Sequence, residues 1–353
     1  MKNILVTLAM IVMAASACSK NTANAPTADL PRSYSVGDQK SINSVSVSAD
    51  GKWILAGGEN KKIKLINAVN GEFLWSSAEQ PDAVLSVAIS PDGKYFAATC
   101  GDNTQNTAQV VMYNMQTKAE IWGKKGLTNN IQLVKFSRDG KSVAMANHFS
   151  IALYESETGK QIQYFSGHAP DVVAPYGHVD AVTALCFTKD PSQFVSVGWD
   201  KNVKVWDMKA GHEIKNFPEA DAINACLLQP DGNRIITAGA GDIHVWNKAT
   251  DRSDTIIPYD DEIKVLMAMN DDRYFVTGDV TGKIVLWSMT DYSKINEIKK
   301  AHQLGVWGMD VFSDGKRLVT SGGDGTVTVW SMEYLLQYKP SNDSTDTKKL
   351  ALQ

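Results

Sequence analysis

His178, Ser196 and Asp200 are the three residue types of a nucleophilic triad: an imidazole base, a hydroxyl to be activated and a carboxylate to orient the imidazole. Their spacing argues against that chemistry. From His178 the intervals to Ser196, Asp200 and Trp206 are 18, 22 and 28 residues, and from His302 the same intervals lead to Thr320, Asp324 and Trp330. One enzyme rarely needs two triads, so a set that recurs at identical spacing reads as structural rather than catalytic. The strained Gly-x-Ser-x-Gly elbow is absent. So are Cys-x-x-Cys, His-Glu-x-x-His, the P-loop and the EF-hand loop. The 6 histidines are scattered without metal-ligand spacing. No metal and no cofactor are expected, and the chain is read as non-catalytic.

Cysteine offers a different chemistry. Cys18 follows Ala15-Ser16-Ala17, and ahead of it lie Lys2 and an apolar stretch of 12 residues from Ile4 to Ala15. That stretch is too short to cross a bilayer but has the length of a secretory signal core. Its end resembles the lipobox of bacterial lipoproteins. The resemblance implies cleavage before Cys18, a lipidated Cys18 as the new first residue and a membrane anchor in the cell envelope. Ser19, not Asp, follows the cysteine, which in the Gram-negative members implies the outer membrane, facing the periplasm. Residues 1–17 are then a signal peptide and 18–33 the lipidated cysteine with a flexible tether rich in Asn, Ala, Thr and Pro. The polar stretch 339–353 is expected to be a disordered tail.

Cys100, Cys186 and Cys226 remain, an odd number that cannot all pair internally. Cys186 and Cys226 fall in equivalent strands of neighbouring repeats, offset by one residue. Strand faces alternate, so they are expected to point apart as buried free thiols.

The elements that must position these residues come from a phrase that recurs seven times: Ile63 to Asn67, Val110 to Asn114, Ile151 to Glu155, Val203 to Asp207, Ile243 to Asn247, Ile284 to Ser288 and Val327 to Ser331. Each alternates apolar and polar and ends on a large residue followed by a small polar one. The large residues are Ile66, Tyr113, Tyr154, Trp206, Trp246, Trp287 and Trp330, spaced by 47, 41, 52, 40, 41 and 43 residues. Asp-Gly pairs at Asp50, Asp92, Asp139, Asp231 and Asp314 mark a tight hairpin turn in five repeats, while the sixth has Asp271-Asp272. Four short strands per unit at this period predict an all-β, seven-bladed β-propeller of four-stranded antiparallel blades over residues 34–338. Tyr34-Ser35-Val36 stands where an outer strand would precede blade 1, so the N-terminal strand is expected to close the last blade. The rival for that place is Glu333 to Tyr338.

The Trp-Asp ending, the Gly177-His178 lead and the spacing resemble the WD-repeat family. The resemblance implies the hydrogen-bond chain Asp to His to Ser or Thr to Trp in blades 4 and 7, and a protein partner. The other five blades lack the full set. Asn67 to Trp75, and more weakly Glu155 to Tyr164, resemble instead the quinoprotein-like propellers that assist outer-membrane protein assembly, which stays open as an alternative. A central-channel enzyme is a second alternative, although the inner strands carry only Lys135, Lys264 and Asp310 as charged residues, with no paired carboxylates for acid–base work.

Composition adds exclusions. The 353 residues are 43% hydrophobic with a net charge of −4, which does not suggest nucleic-acid binding. A monomer is expected. Two insertions explain the irregular spacings, Gly101 to Ala108 in blade 2 and Gly167 to Gly177 before blade 4. Both fall on the face that carries Trp199. Asn103, Val172, Val173, Tyr176 and Trp199 are therefore the candidate partner-binding residues, since aromatic and apolar loop residues anchor interfaces.

Overall fold

Each recurring phrase forms the third strand of a four-stranded sheet. Val203 to Asp207 lies within the strand Asn202–Asp207, between Gln193–Gly198 and Glu213–Pro218, with Val182–Phe187 innermost. The computed structural model describes residues 31–101, 107–127, 131–166 and 177–338. These contain seven such antiparallel sheets. Strand direction alternates, so connections fall on two faces. First-to-second and third-to-fourth turns share the turn face; second-to-third loops and the links between blades share the loop face.

A blade is covered on both sides by its neighbours, so alternation does not leave one side wet. In Asn202–Asp207 the four central residues are all buried. Lys204 is among them, and its Nζ lies 2.5 Å from Glu213 Oε2. The hydrophobic clusters run from blade to blade; one joins Val195 and Val205 of blade 4 to Ile223 and Ile235 of blade 5. The inter-strand turns follow the residue types. Gly51, Gly93, Gly140, Gly232 and Gly315 adopt φ between 65° and 74°. Where the sixth repeat lacks glycine, Asp272 takes the same conformation at φ 60°, as Asp tolerates better than most side chains.

The N-terminal strand closes the ring. Arg32–Ser35 pairs antiparallel with Thr326–Ser331 in the register Ser33↔Thr328 and Tyr34↔Val327. Ser33 Oγ and Thr328 Oγ1 are 3.0 Å apart, Arg32 Nη1 donates to Val69 O at 2.8 Å and Tyr34 Oη donates to the same carbonyl at 2.9 Å. The ring thus begins at Arg32, two residues ahead of Tyr34, and takes in Arg32 and Ser33, which composition alone assigned to the tether. Like every fourth strand, it runs from the turn face to the loop face.

The rival segment is a helix, Met332–Gln337, not a strand. Its intended edge is already occupied by Arg32–Ser35, and Ser331 Oγ caps the helix by accepting from Tyr334 N at 3.1 Å. Asn296 Nδ2 holds its end by donating to Leu335 O at 2.9 Å and Tyr338 O at 2.8 Å.

The cysteine expectation holds for the free thiols and fails for their placement. All three described thiols are unbonded, but Cys186 Sγ and Cys226 Sγ lie 3.1 Å apart. The one-residue offset does turn them to opposite faces of their own sheets. Stacked blades, however, meet through opposite faces, so the two thiols point at each other. Residues 1–30, with Cys18, and 339–353 lie outside the described residues, as do Asn103, Val172, Val173 and Tyr176.

Candidate protein-docking face

In blade 4, His178 Nδ1 lies 2.9 Å from both carboxylate oxygens of Asp200 and its Nε2 lies 2.7 Å from Ser196 Oγ. The same hydroxyl accepts from Trp206 Nε1 at 2.7 Å. Ser196 is completely buried and His178 is 2% exposed. A hydroxyl held between an imidazole and an indole, with no opening to solvent, has no room for an acyl substrate. Asp200 also accepts from Val179 N at 3.1 Å and Asn202 N at 3.2 Å, tying two loop-face connections together.

Blade 7 repeats the arrangement. His302 Nδ1 is 3.1 Å from Asp324 Oδ1 and its Nε2 is 2.8 Å from Thr320 Oγ1, which accepts from Trp330 Nε1 at 2.9 Å. Burial alone would raise the Asp324 carboxyl. The hydrogen bond and charge of His302, with Thr326 and Gln303 N–H, outweigh it and hold the group at about 2.

Sequence reading missed two variants of this chain. In blade 5, Glu219 stands 18 residues before Thr237, where histidine stands in blade 4. Thr237 Oγ1 donates to Glu219 Oε1, and Trp246 Nε1 donates to the same oxygen at 2.7 Å. In blade 6, Tyr259 stands 18 residues before Thr277. Its hydroxyl donates to Asp279 Oδ2 at 2.8 Å, and Trp287 Nε1 donates to Thr277 Oγ1 at 3.0 Å. The recurring signal was the 18-residue interval to the hydroxyl: blades 5 and 6 lack the full set, having Gly241 and Thr281 where Asp200 stands in blade 4, but each puts another polar side chain in the place of the histidine.

These chains hold up the loop face, and there Trp199 is 44% exposed. Its position is fixed by a relay around the channel mouth. Trp199 Nε1 donates to Asn224 Oδ1 of blade 5 at 3.1 Å. Asn224 Nδ2 donates to Glu262 Oε1 at 3.0 Å and to Ile263 O at 2.8 Å, both entering blade 6. Lys264 Nζ donates to Glu262 Oε1 at 2.5 Å and lies 5.9 Å from the ring centroid of Trp307 in blade 7. Val179 and Leu304 stand on the same face at 59% and 60% exposure. Blades 4 and 7 therefore present apolar side chains at the two ends of a polar frame, supplied by blades 5 and 6, that is already hydrogen-bonded.

The axial channel, about 400 Å³, is lined by Lys135, Lys264 and Asp310 among mostly uncharged inner-strand residues. Asp310 Oδ2 accepts from Val47 N at 2.8 Å and Ser46 Oγ at 3.2 Å, and its Oδ1 accepts from Val311 N at 2.8 Å. It joins blade 7 to blade 1 instead of facing a second carboxylate. Among the described residues no group of three His, Cys, Asp or Glu side chains is placed to hold a metal. No described helix is long and apolar enough to cross a membrane.

Comparison with known proteins agrees with this geometry. A family model described as WD domain, G-beta repeat, matches residues 31–67, 72–104, 159–207, 211–247 and 294–331. The chain belongs to the WD-repeat family. Two stretches of this WD-repeat ring, 105–158 and 248–293, escape the model, yet they hold complete blade strands such as Ser150–Glu155 and Ile284–Ser288. Similar relatives include the Target of rapamycin complex subunit wat1 of Schizosaccharomyces pombe, 25% identical over 56% of this chain and 63% of its own length. Another is the Cilia- and flagella-associated protein 52 of Sus scrofa, 23% identical over 83% of this chain and 46% of its own length. A third is the Target of rapamycin complex subunit LST8 of Saccharomyces cerevisiae, 24% identical over 58% of this chain and 68% of its own length. The chain spans less than two thirds of the length of the first two.

Proposed function

We propose that this WD-repeat propeller is a protein-binding scaffold without catalytic chemistry, that its docking surface is the loop face of blades 4 to 7, and that Cys18 tethers it by lipid to the bacterial cell envelope. The observation that carries the docking part is the relay from Trp199 through Asn224, Glu262 and Lys264 to Trp307. An exposed indole whose nitrogen is already bonded loses little freedom when a partner covers it, which is the property of an interface anchor. Two of the relatives carry the name of a complex subunit, which fits the same reading. The lipid tether rests on the Ala15-Ser16-Ala17-Cys18 sequence and on the apolar stretch before it.

The experiment is affinity capture from envelope extracts with tagged chain as bait, followed by binding measurements on the captured protein. Truncating anchor residues at an interface commonly costs 2 kcal/mol or more, roughly 30-fold in affinity. Trp199→Ala with Leu304→Ala is expected to weaken the captured partner by at least ~10-fold while the ring stays folded. Lys141→Glu, on the turn face, is expected to leave capture unchanged. Loss of capture with Lys141→Glu and retention with the double substitution overturns the assignment of the face.

A further inference from the structure

Cys186 and Cys226 belong to the inner strands Val182–Phe187 of blade 4 and Ile223–Leu228 of blade 5. Their sulfurs lie 3.1 Å apart, and Cys186 Sγ also donates to Cys226 O at 2.9 Å. Two thiols in contact across a packed interface need a shift of only about 1 Å to reach the ~2.05 Å of a disulfide. Reagents have a route to them: Cys186 is half-buried, and Cys226 lines the axial channel. Cys100 sits apart in the second strand of blade 2, 2% exposed.

The geometry points to a thiol–disulfide couple, in which a small external disulfide oxidises Cys186 and Cys226 to a covalent link between blades 4 and 5. In the first step the Cys186 thiolate attacks one sulfur of the external disulfide and displaces the other half as a thiol, leaving a mixed disulfide on Cys186. Cys226 then attacks the Cys186 sulfur, the bond between the two cysteines forms, and the second half of the carrier leaves as a thiol. The carrier gains the two electrons and two protons that the cysteines give up. The order of attack follows from the surroundings. The hydrogen bond with Cys226 lowers the Cys186 thiol against its burial, with Lys135 and Arg138 adding positive charge, whereas the same contact raises Cys226. Cys186 is also the more exposed of the two, which makes it the nucleophile and Cys226 the resolving thiol.

The couple is independent of any docking partner and of the lipid tether. It is tested on the full chain equilibrated with mixtures of reduced and oxidised glutathione, quenched with N-ethylmaleimide and mapped by tryptic peptides. The expected product links the peptides of Cys186 and Cys226 and leaves Cys100 alkylated. It should form at a ratio of oxidised to reduced glutathione at least ~10-fold lower than in the urea-unfolded chain. Cys226→Ser should stop at a glutathione adduct on Cys186, and Cys186→Ser should leave Cys226 alkylated. Independent alkylation of Cys186 and Cys226 in the folded chain at every ratio overturns the inference. So does a wild-type chain that accumulates glutathione adducts without the internal link.

Discussion

Glu219 Oε1 accepts the indole N–H of Trp246 at 2.7 Å, at the place in blade 5 where blade 4 uses His178. A carboxylate has replaced an imidazole, and it takes hydrogen bonds from both the hydroxyl and the indole. Burial raises its carboxyl above the ordinary 4.5 in spite of those two donors.

The first prediction follows from the sign of that shift. The folded ring binds the Glu219 proton more tightly than the unfolded chain does. The stability so gained is fully present below the unfolded value and is lost as pH rises through the folded one. Glu219→Gln keeps an acceptor and removes the titration, so its melting temperature relative to wild type should climb from pH 4.5 towards neutrality. Glu219→Ala strands the donors of Thr237 and Trp246 and should cost ~1–3 kcal/mol at pH 4.5, less as pH rises. A parallel pH course for wild type and Glu219→Gln in scanning fluorimetry contradicts this account.

Asp324 has the opposite sign. Its carboxyl is held at about 2 against an ordinary 3.8, so its contribution is present above 3.8 and disappears as pH falls towards 2. A shift of this size corresponds to roughly 2 kcal/mol. Asp324→Ala should lose ~1–3 kcal/mol at neutral pH and lose progressively less relative to wild type in acid. Denaturant titrations at pH 7 and pH 3 measure the difference.

Ring closure can be probed from blade 1. Gly71 has φ 72°, and a Cβ there would stand 2.2 Å from Tyr34 Cδ1 of the closing strand. Gly71→Ala should destabilise by ~1–3 kcal/mol. Adding Tyr34→Ala removes the clash but not the backbone strain, so the double substitution should cost less than the sum of the two singles. Strict additivity in urea unfolding would place the cost elsewhere than at the closing strand.

Cys18→Ala tests the tether. Wild type expressed in a bacterial envelope should incorporate labelled palmitate and fractionate with membranes, and the variant should do neither. Membrane fractionation with label retained in Cys18→Ala removes the lipid reading.

The architecture was readable because the third strand's phrase recurs in every blade: each ends on a large residue, and Trp206, Trp246, Trp287 and Trp330 mark it most clearly. The closing strand was readable from the offset of Tyr34 to the first inner strand, but its start at Arg32 was not, since a polar Ser33 is stabilised there only by its partner Thr328. Glu219 and Tyr259 were missed because residue type was read before interval. The Cys186–Cys226 contact was missed because alternation within a strand says which face a side chain takes and nothing about which neighbour that face meets. The relay from Trp199 to Trp307 spans four blades, and no local pattern encodes it.

The direction of the closing strand has a consequence for access. Because the chain enters the ring at Arg32 from the turn face, the residues before it join the propeller on the side opposite Trp199 and Leu304. Under the proposed lipid tether, a large partner approaches the exposed indole from the side away from the point of attachment. On the same reading a ligand for the turn face shares its side of the ring with the tether, so the way the ring closes makes the loop face the more open of the two.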